Sequence, residues 1–332
     1  MKRLAIIGAG SWGTALALVL APRFSTVRLW VYEQDLAARM TGSRENDVYL
    51  PGFSLPANVE VVNDLASSLE SAEIVLGVMP SHRARGVYTQ MLPLLNESML
   101  LVSATKGLET GSLLRMSEVI CQVVSPRFQP RISVLSGPTF AKEVASGEPT
   151  ALVVASADSE AATLVQAAFS GSSFRLYTNS DPIGVEIGGA VKNVVAIGAG
   201  VCHGLGLGSN AIAALITRGL AEMTRLAVAA GGESKTLAGL AGLGDLVLTC
   251  NGSLSRNRTV GLELAAGKKL DEIVGSMRMV AEGVETTKAT MDLARRHQVE
   301  MPIAEQMYAM LYDSRPPKEA IRQLMERSLK GE

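Results

Sequence analysis

The sequence predicts an α/β fold in two parts, an N-terminal doubly wound sheet over residues 1–180 followed by an all-α C-terminal domain over 181–332. Three observations carry this. Short β-branched runs alternate with helical stretches through the first half, a glycine-rich turn joins the first run to the first helix, and strand signals stop after FRLYT (174–178).

LAIIG (4–8) is the first strand, and GAGSWG (8–13) after it reads G-x-G-x-x-G at the opening of a helix. Gly8, Gly10 and Gly13 permit a tight turn and close approach of a pyrophosphate, whose charge the helix amino terminus favours. Within a βαβ unit this is the Rossmann-type dinucleotide fingerprint. VRLWV (27–31) is the second strand, and Glu33, 20 residues after Gly13, is placed at its end to bond an adenosine ribose. The plainer reading of Glu33 is a surface glutamate opening the second helix. No arginine stands beside it to hold a 2′-phosphate, so NAD is the expected cofactor and NADP the alternative.

VEVV (59–62), IVLGV (74–78), LLVSA (100–104), ISVLS (132–136) and ALVVA (151–155) continue the series. Runs as continuously apolar as IVLGV suit a sheet covered on both faces, with right-handed helical crossovers. Asp181-Pro182 then reads as a helix start, an acidic cap before a proline at the first helical position, and marks the domain boundary. Helices are expected at 182–201, 210–230, 234–249, 256–266, 284–297, 303–313 and 317–328, divided by glycines and prolines.

Composition narrows the function classes. A chain of 332 residues, 47% hydrophobic and 19% charged, fits a soluble globular protein. Thirty-one basic and 32 acidic residues leave a net charge of −1, with no electrostatic footprint for nucleic acid or an anionic membrane. Cys121, Cys202 and Cys250 show no paired spacing, which points to a reducing, cytoplasmic setting. The three histidines form no Cys/His cluster at zinc-ligand spacing, so no metal is expected. Leu4 to Pro22 imitates a secretory signal but is interrupted by the glycine turn, and the uncharged stretch 194–217 carries several glycines with His203, Ser209 and Asn210. No membrane span is expected.

GGAVKNVVAIGAG (188–200) holds one charge, Lys192, and it is the only charged residue between Ile187 and Thr217. Average composition would place about six there. A lysine on an apolar helix most often snorkels to solvent. Yet no tyrosine has a lysine four residues on, which removes the Tyr-x-x-x-Lys arrangement of short-chain dehydrogenases, and a lone histidine such as His203 beside glycines is more often a structural donor than a base. That leaves a lysine as the candidate acid/base.

ATKGLE (104–109), SGPTFAKEVA (136–145), GLGDLVLTC (242–250), SRNR (255–258) and VAEGVETT (280–287) accompany GAGSWGTALA and the lysine segment. In that order, over nearly the whole chain, they resemble the soluble NAD(P)-dependent glycerol-3-phosphate dehydrogenase family. The resemblance implies reversible hydride transfer between NAD(P)H and dihydroxyacetone phosphate, giving sn-glycerol 3-phosphate for glycerophospholipid synthesis, and it implies a homodimer.

It casts Lys192 as general acid/base at the substrate C2 oxygen, since hydride delivered to a ketone leaves an alkoxide that must be protonated. Burial among Gly188, Gly189, Val191 and Val195 should lower that lysine's proton affinity. Lys106 and Asp245 join Lys192 as the catalytic set implied by the family. Lys106 would touch substrate and cofactor, and Asp245, with Thr249 four residues on, would orient Lys192 or a substrate hydroxyl. Arg256 and Asn257, with Ser255 beside them, would hold the substrate phosphate, Arg256 also meeting the cofactor. Gly137 and Thr139 fall around the substrate, and Asn193 would bond substrate or cap a backbone group. Ser11, Trp12, Ala141, Val280 and Glu282 match cofactor positions.

WVYEQ (30–34) departs from bacterial members, which often carry Arg or His after this tryptophan, and the departure favours NAD. Two other readings compete. Another β-hydroxyacid-type dehydrogenase of the same two-part plan would not need Arg256, and a non-catalytic NAD sensor would need neither Lys192 nor Asp245.

Overall fold

The computed structural model describes residues 3–277, 281–329 and 331. Among these residues ten strands form in order: β1 (Arg3–Ile7), β2 (Thr26–Trp30), β3 (Glu45–Asn46), β4 (Leu50–Ser54), β5 (Val59–Val62), β6 (Ile74–Gly77), β7 (Leu100–Ser103), β8 (Arg131–Ser136), β9 (Thr150–Ala155) and β10 (Phe174–Asn179). Eight of them make one sheet in the order β10-β9-β8-β7-β6-β1-β2-β5, while β3 and β4 pair as a separate hairpin. Successive side chains of a strand point to opposite faces, so each face needs its own cover. On β1, Leu4 and Ile6 join a core that includes Leu16 and Leu20 of helix Ser11–Leu20 and Val165 and Phe169 of helix Ser159–Phe169. Ala5 and Ile7 face a second core with Tyr88 and Met91 of helix Ser81–Met91 and Val119 and Ile120 of helix Met116–Val124.

The doubly wound expectation holds from β1 to β8, where every pairing in the main sheet is parallel. Beyond, the sheet becomes mixed, because β9 runs antiparallel to β8. Between these strands lies only the short helix Ala141–Ala145, too little to carry the chain back along the sheet, so the strand returns directly. The longer helix Ser159–Phe169 then restores a parallel pairing of β10 with β9.

After β10 the described chain is helical, as anticipated. Asp181 accepts a hydrogen bond from the Gly184 amide at 2.8 Å and Pro182 opens the helix Pro182–Gly204. This helix is long and apolar enough to cross a membrane, yet the whole of that apolar stretch lies inside the protein. A helix that is apolar all round belongs in a core, and the helices Ser209–Ala229, Arg256–Ala265, Gly283–His297 and Pro302–Tyr312 pack around it. The single helix expected at 234–249 is instead broken into Ser234–Leu237, a π-helical turn Leu240–Gly244, and Asp245–Asn251. The glycines explain the break: a side chain at Gly242 would strike the Leu237 carbonyl oxygen at 2.1 Å. Helix Leu270–Ser276 and the β3–β4 hairpin went unanticipated, being short and weakly patterned.

Candidate active site

The glycine turn lies at the carboxyl end of β1, flanked by β2 on one side and β6 on the other, where the strand order reverses. Open α/β sheets bind ligands at that point. Gly8 has φ +119°, and a side chain there would meet the Val78 carbonyl oxygen at 2.1 Å; one on Gly13 would meet the Gly8 carbonyl oxygen at 1.9 Å. Both positions are closed by packing. Gly10 differs, because a side chain there would meet nothing within 4 Å. The turn is therefore tight at its two ends and open at its middle, beside the amino terminus of helix Ser11–Leu20, which is the shape a pyrophosphate requires. Ser11 starts the helix, and Trp12 packs its ring against the core behind it.

Sequence reading missed what braces this turn. Asn46, fully buried in the hairpin, donates to the Ala9 carbonyl and to Thr14 Oγ1, both at 2.8 Å. Its one local bond, from the Tyr49 amide, marks only a turn; the groups it braces, Ala9 and Thr14, lie more than thirty residues away. Glu33 stands at the position just before helix Gln34–Ser43, without a side-chain bond to its amides, and is exposed, combining the surface position of its plainer reading with the strand-end position of the functional one. Tyr49 Oη donates to it at 2.8 Å.

Lys192 does not snorkel. It is 5% exposed, and its Nζ donates to Asp245 Oδ1 at 2.5 Å and to Thr249 Oγ1 at 2.7 Å. Burial pulls its ammonium from 10.5 down to about 8; Asp245 opposes that fall and Lys106 adds to it. Lys106, three residues past β7, donates to the other oxygen, Asp245 Oδ2, at 2.7 Å and to the Gly137 carbonyl at 3.1 Å. Thr139 Oγ1 donates to that same carbonyl at 3.2 Å. Lys106, Gly137, Thr139, Lys192, Asp245 and Thr249, dispersed along the chain, thus meet at one place. The π-helical turn ends at Asp245, so it sets the start of the short helix that carries both Asp245 and Thr249. Such turns are frequent at functional sites.

Helix Arg256–Ala265 is pressed against the long helix backbone to backbone. A side chain at Gly261 would meet the Ile197 carbonyl oxygen at 1.9 Å, and one at Gly200 the Arg258 carbonyl oxygen at 2.0 Å. That contact fixes the amino end of the helix, where Ser255 accepts from the Arg258 amide at 3.2 Å and Arg256 is exposed. Asn257 is committed internally: its Nδ2 donates to Asn193 Oδ1 at 2.9 Å and its Oδ1 accepts from the Gly283 amide at 2.9 Å. Asn193 therefore serves a neighbouring side chain. Glu282, just before Gly283, has its carboxyl pushed up to about 7 by burial, against the pull of Arg256 and Lys106. The Ser81 backbone, at the start of the helix after β6, also pulls it down, so Glu282 of the helical half faces that segment of the sheet half. Ala141 opens its own short helix beyond Thr139. Val280 lies outside the described residues.

A pyrophosphate-shaped turn at a sheet's switch point, with a buried amine held between a carboxylate and a hydroxyl, defines the class: a nicotinamide-dependent oxidoreductase. Residues 3–162 match the family described as NAD-dependent glycerol-3-phosphate dehydrogenase N-terminus, and residues 181–322 its C-terminus. The glycerol-3-phosphate dehydrogenase [NAD(P)+] of Koribacter versatilis is 59% identical, with 98% of each chain covered, and that of Geobacter sp. (strain M21) is 52% identical, covering 100% of this chain and 99% of the relative. The crystal structure of glycerol-3-phosphate dehydrogenase from Coxiella burnetii superposes with a TM-score of 0.94 at 44% identity, covering 98% of this chain and 99% of that one. The chain belongs to the NAD-dependent glycerol-3-phosphate dehydrogenase family.

Proposed function

We propose that Lys192 is the general acid/base of an NAD(P)-dependent glycerol-3-phosphate dehydrogenase reaction that interconverts dihydroxyacetone phosphate and sn-glycerol 3-phosphate. The observation that carries this is the Lys192 amine, buried, bonded to Asp245 and Thr249, and brought close to neutrality in its proton affinity. A general acid works best when its pKa lies near the working pH. The bound nicotinamide supplies the two-electron hydride. Lys192 hands one proton to the C2 oxygen as that oxygen becomes an alkoxide, leaving a secondary alcohol and a neutral amine; oxidation runs the same proton in reverse.

Asp245 and Thr249 orient the amine, and Lys106 stands across the carboxylate where it can meet substrate and cofactor together. Arg256 and Ser255, with the amide donors at the amino end of their helix, hold the substrate phosphate. Asn257 contributes what its bonds to Asn193 and Gly283 leave spare, one amide hydrogen. Gly137 and Thr139 line the substrate, while Gly8, Gly10, Ser11, Gly13, Ala141 and Glu282 line the dinucleotide, with Trp12 behind the turn. Glu33 favours NAD over NADP, a preference read by comparing kcat/KM for NADH and NADPH. Residues 1–180 and 181–332 act as cofactor and substrate domains of a cytoplasmic homodimer.

The deciding experiment is NADH oxidation with dihydroxyacetone phosphate by the unmodified protein and by Lys192→Ala. Loss of turnover by about 100- to 10,000-fold with NADH binding intact is expected. Turnover surviving the substitution overturns the assignment of Lys192.

A further inference from the structure

Glu186 lies near the start of the long helix and is 6% exposed, yet nothing in the mechanism above uses it. Six residues, about 9 Å of helix rise, separate it from Lys192, so it does not reach the reacting atoms by itself. Its carboxylate is fully occupied. Oε1 accepts from the Ser117 amide at 2.8 Å, and Oε2 accepts from Ser117 Oγ at 2.5 Å and Arg115 Nη1 at 2.6 Å. Arg115 and Ser117 belong to the sheet half, at the amino end of helix Met116–Val124.

Those two residues are also the foot of the loop that carries Lys106. Leu108 bridges Arg115, and the Glu109 amide donates to the Leu114 carbonyl at 2.9 Å, so the loop closes on itself just past Lys106. Glu109 is pinned in turn by both guanidinium arms of Arg85, each at 2.8 Å. The loop is therefore a stiff unit joined to the long helix twice, at its foot through Glu186 and at its front through Lys106, Asp245 and Lys192. A rigid body tied at two points keeps its spacing; untied at one, it can pivot about the other.

We infer that Glu186 is a positioning residue for the reaction, clamping the Lys106 loop to the helix of Lys192 so that both ammonium groups reach the same Asp245 carboxylate. The inference rests on the acid/base reading of Lys192. Neutralising Glu186 leaves the Arg115 guanidinium without its buried partner, which costs stability, so the test must separate folding from positioning.

The test compares the unmodified protein with Glu186→Gln and Ser117→Ala, each alone and combined with Lys106→Met, well below every variant's Tm. NADH affinity is followed by fluorescence titration and turnover by NADH oxidation with dihydroxyacetone phosphate. Glu186→Gln is expected to lower kcat about 10- to 100-fold, the scale of a displacement near 1 Å, with a change in NADH affinity no larger than that caused by Lys106→Met. In the Lys106→Met background the same change should have little further effect, because both act through one loop. Fully additive losses, or an unchanged kcat below the Tm, overturn the inference. Should Glu186→Gln fail to fold, Ser117→Ala removes a single donor to the same carboxylate and is held to the same criterion of non-additivity. Turnover retained in Lys192→Ala brings down the underlying assignment; an inactive Lys192→Ala with additive Glu186 and Lys106 effects brings down this inference alone.

Discussion

Lys106 and Lys192 meet through one carboxylate, their Nζ atoms lying 2.7 Å from Asp245 Oδ2 and 2.5 Å from Asp245 Oδ1. Two ammonium groups brought this close would repel each other without the anion between them. One of them, Lys192, is buried; Lys106 keeps partial contact with solvent. Breaking a buried charge pair by removing one partner typically costs about 3–5 kcal/mol, since the remaining charge is stranded. The bridge is thus both a structural joint between the halves of the chain and the setting of the proposed acid/base group.

The first prediction is a pH dependence of opposite sign in the two directions. With Lys192 as the proposed acid, ketone reduction requires its ammonium form, so kcat/KM is expected to fall as pH rises through about 8. Alcohol oxidation requires the neutral amine, so its kcat/KM rises through the same midpoint. Profiles of kcat/KM report the free enzyme's groups, and a reduction limb flat to pH 10 would contradict the assignment.

Asp245→Asn should move that midpoint downward. The carboxylate favours the charged form of Lys192, so its removal leaves burial and Lys106 unopposed, and both depress proton affinity. The reduction limb is then expected to break below pH 8, alongside a reduced Tm. An upward shift of the break would mean that Asp245 does not stabilise the ammonium.

Arg256→Ala addresses substrate phosphate. A hydrogen bond to a charged group is worth about 1.5–3 kcal/mol, which corresponds to a rise in KM of about 10- to 100-fold for dihydroxyacetone phosphate. Unphosphorylated dihydroxyacetone should respond far less. Equal effects on both substrates would remove the phosphate contact.

Gly10→Ala and Gly13→Ala should separate binding from folding within one turn. The side chain added at Gly13 has the Gly8 carbonyl at 1.9 Å, so this variant is expected to lose about 1–3 kcal/mol or more of stability, read as a fall in Tm. At Gly10 the added methyl meets open space, so Tm should hold while the Kd for NADH rises. A Gly10→Ala protein with unaltered NADH affinity would argue that the pyrophosphate does not pass over that position.

Much of the fold was legible because strand and helix periods are local. The eight strands of the main sheet fall where β-branched runs predict them, and the helix start at Asp181-Pro182 follows from capping chemistry. What went unread depended on distance along the chain or on length. The reversal of β9 turns on a helix too short to carry a crossover, and the break before Asp245 turns on glycines pressed against a neighbouring segment. Asn46 and Glu186 look ordinary in sequence, since the turn groups that Asn46 braces lie 32 and 37 residues away and the partners of Glu186 lie 69 and 71 away.

From the sequence alone came the dinucleotide turn, the division between sheet and helices, and one conspicuous lysine on a helix otherwise free of charge. Each is a property of neighbouring residues, where propensity, periodicity and desolvation act. Tertiary structure decided that Asp245 serves two lysines at once, that Asn257 is engaged with Asn193 and Gly283, and that Glu186 ties a loop of one half to a helix of the other. Hydrogen bonds and ion pairs act only over a few ångströms, so which side chains they join depends on how distant segments pack.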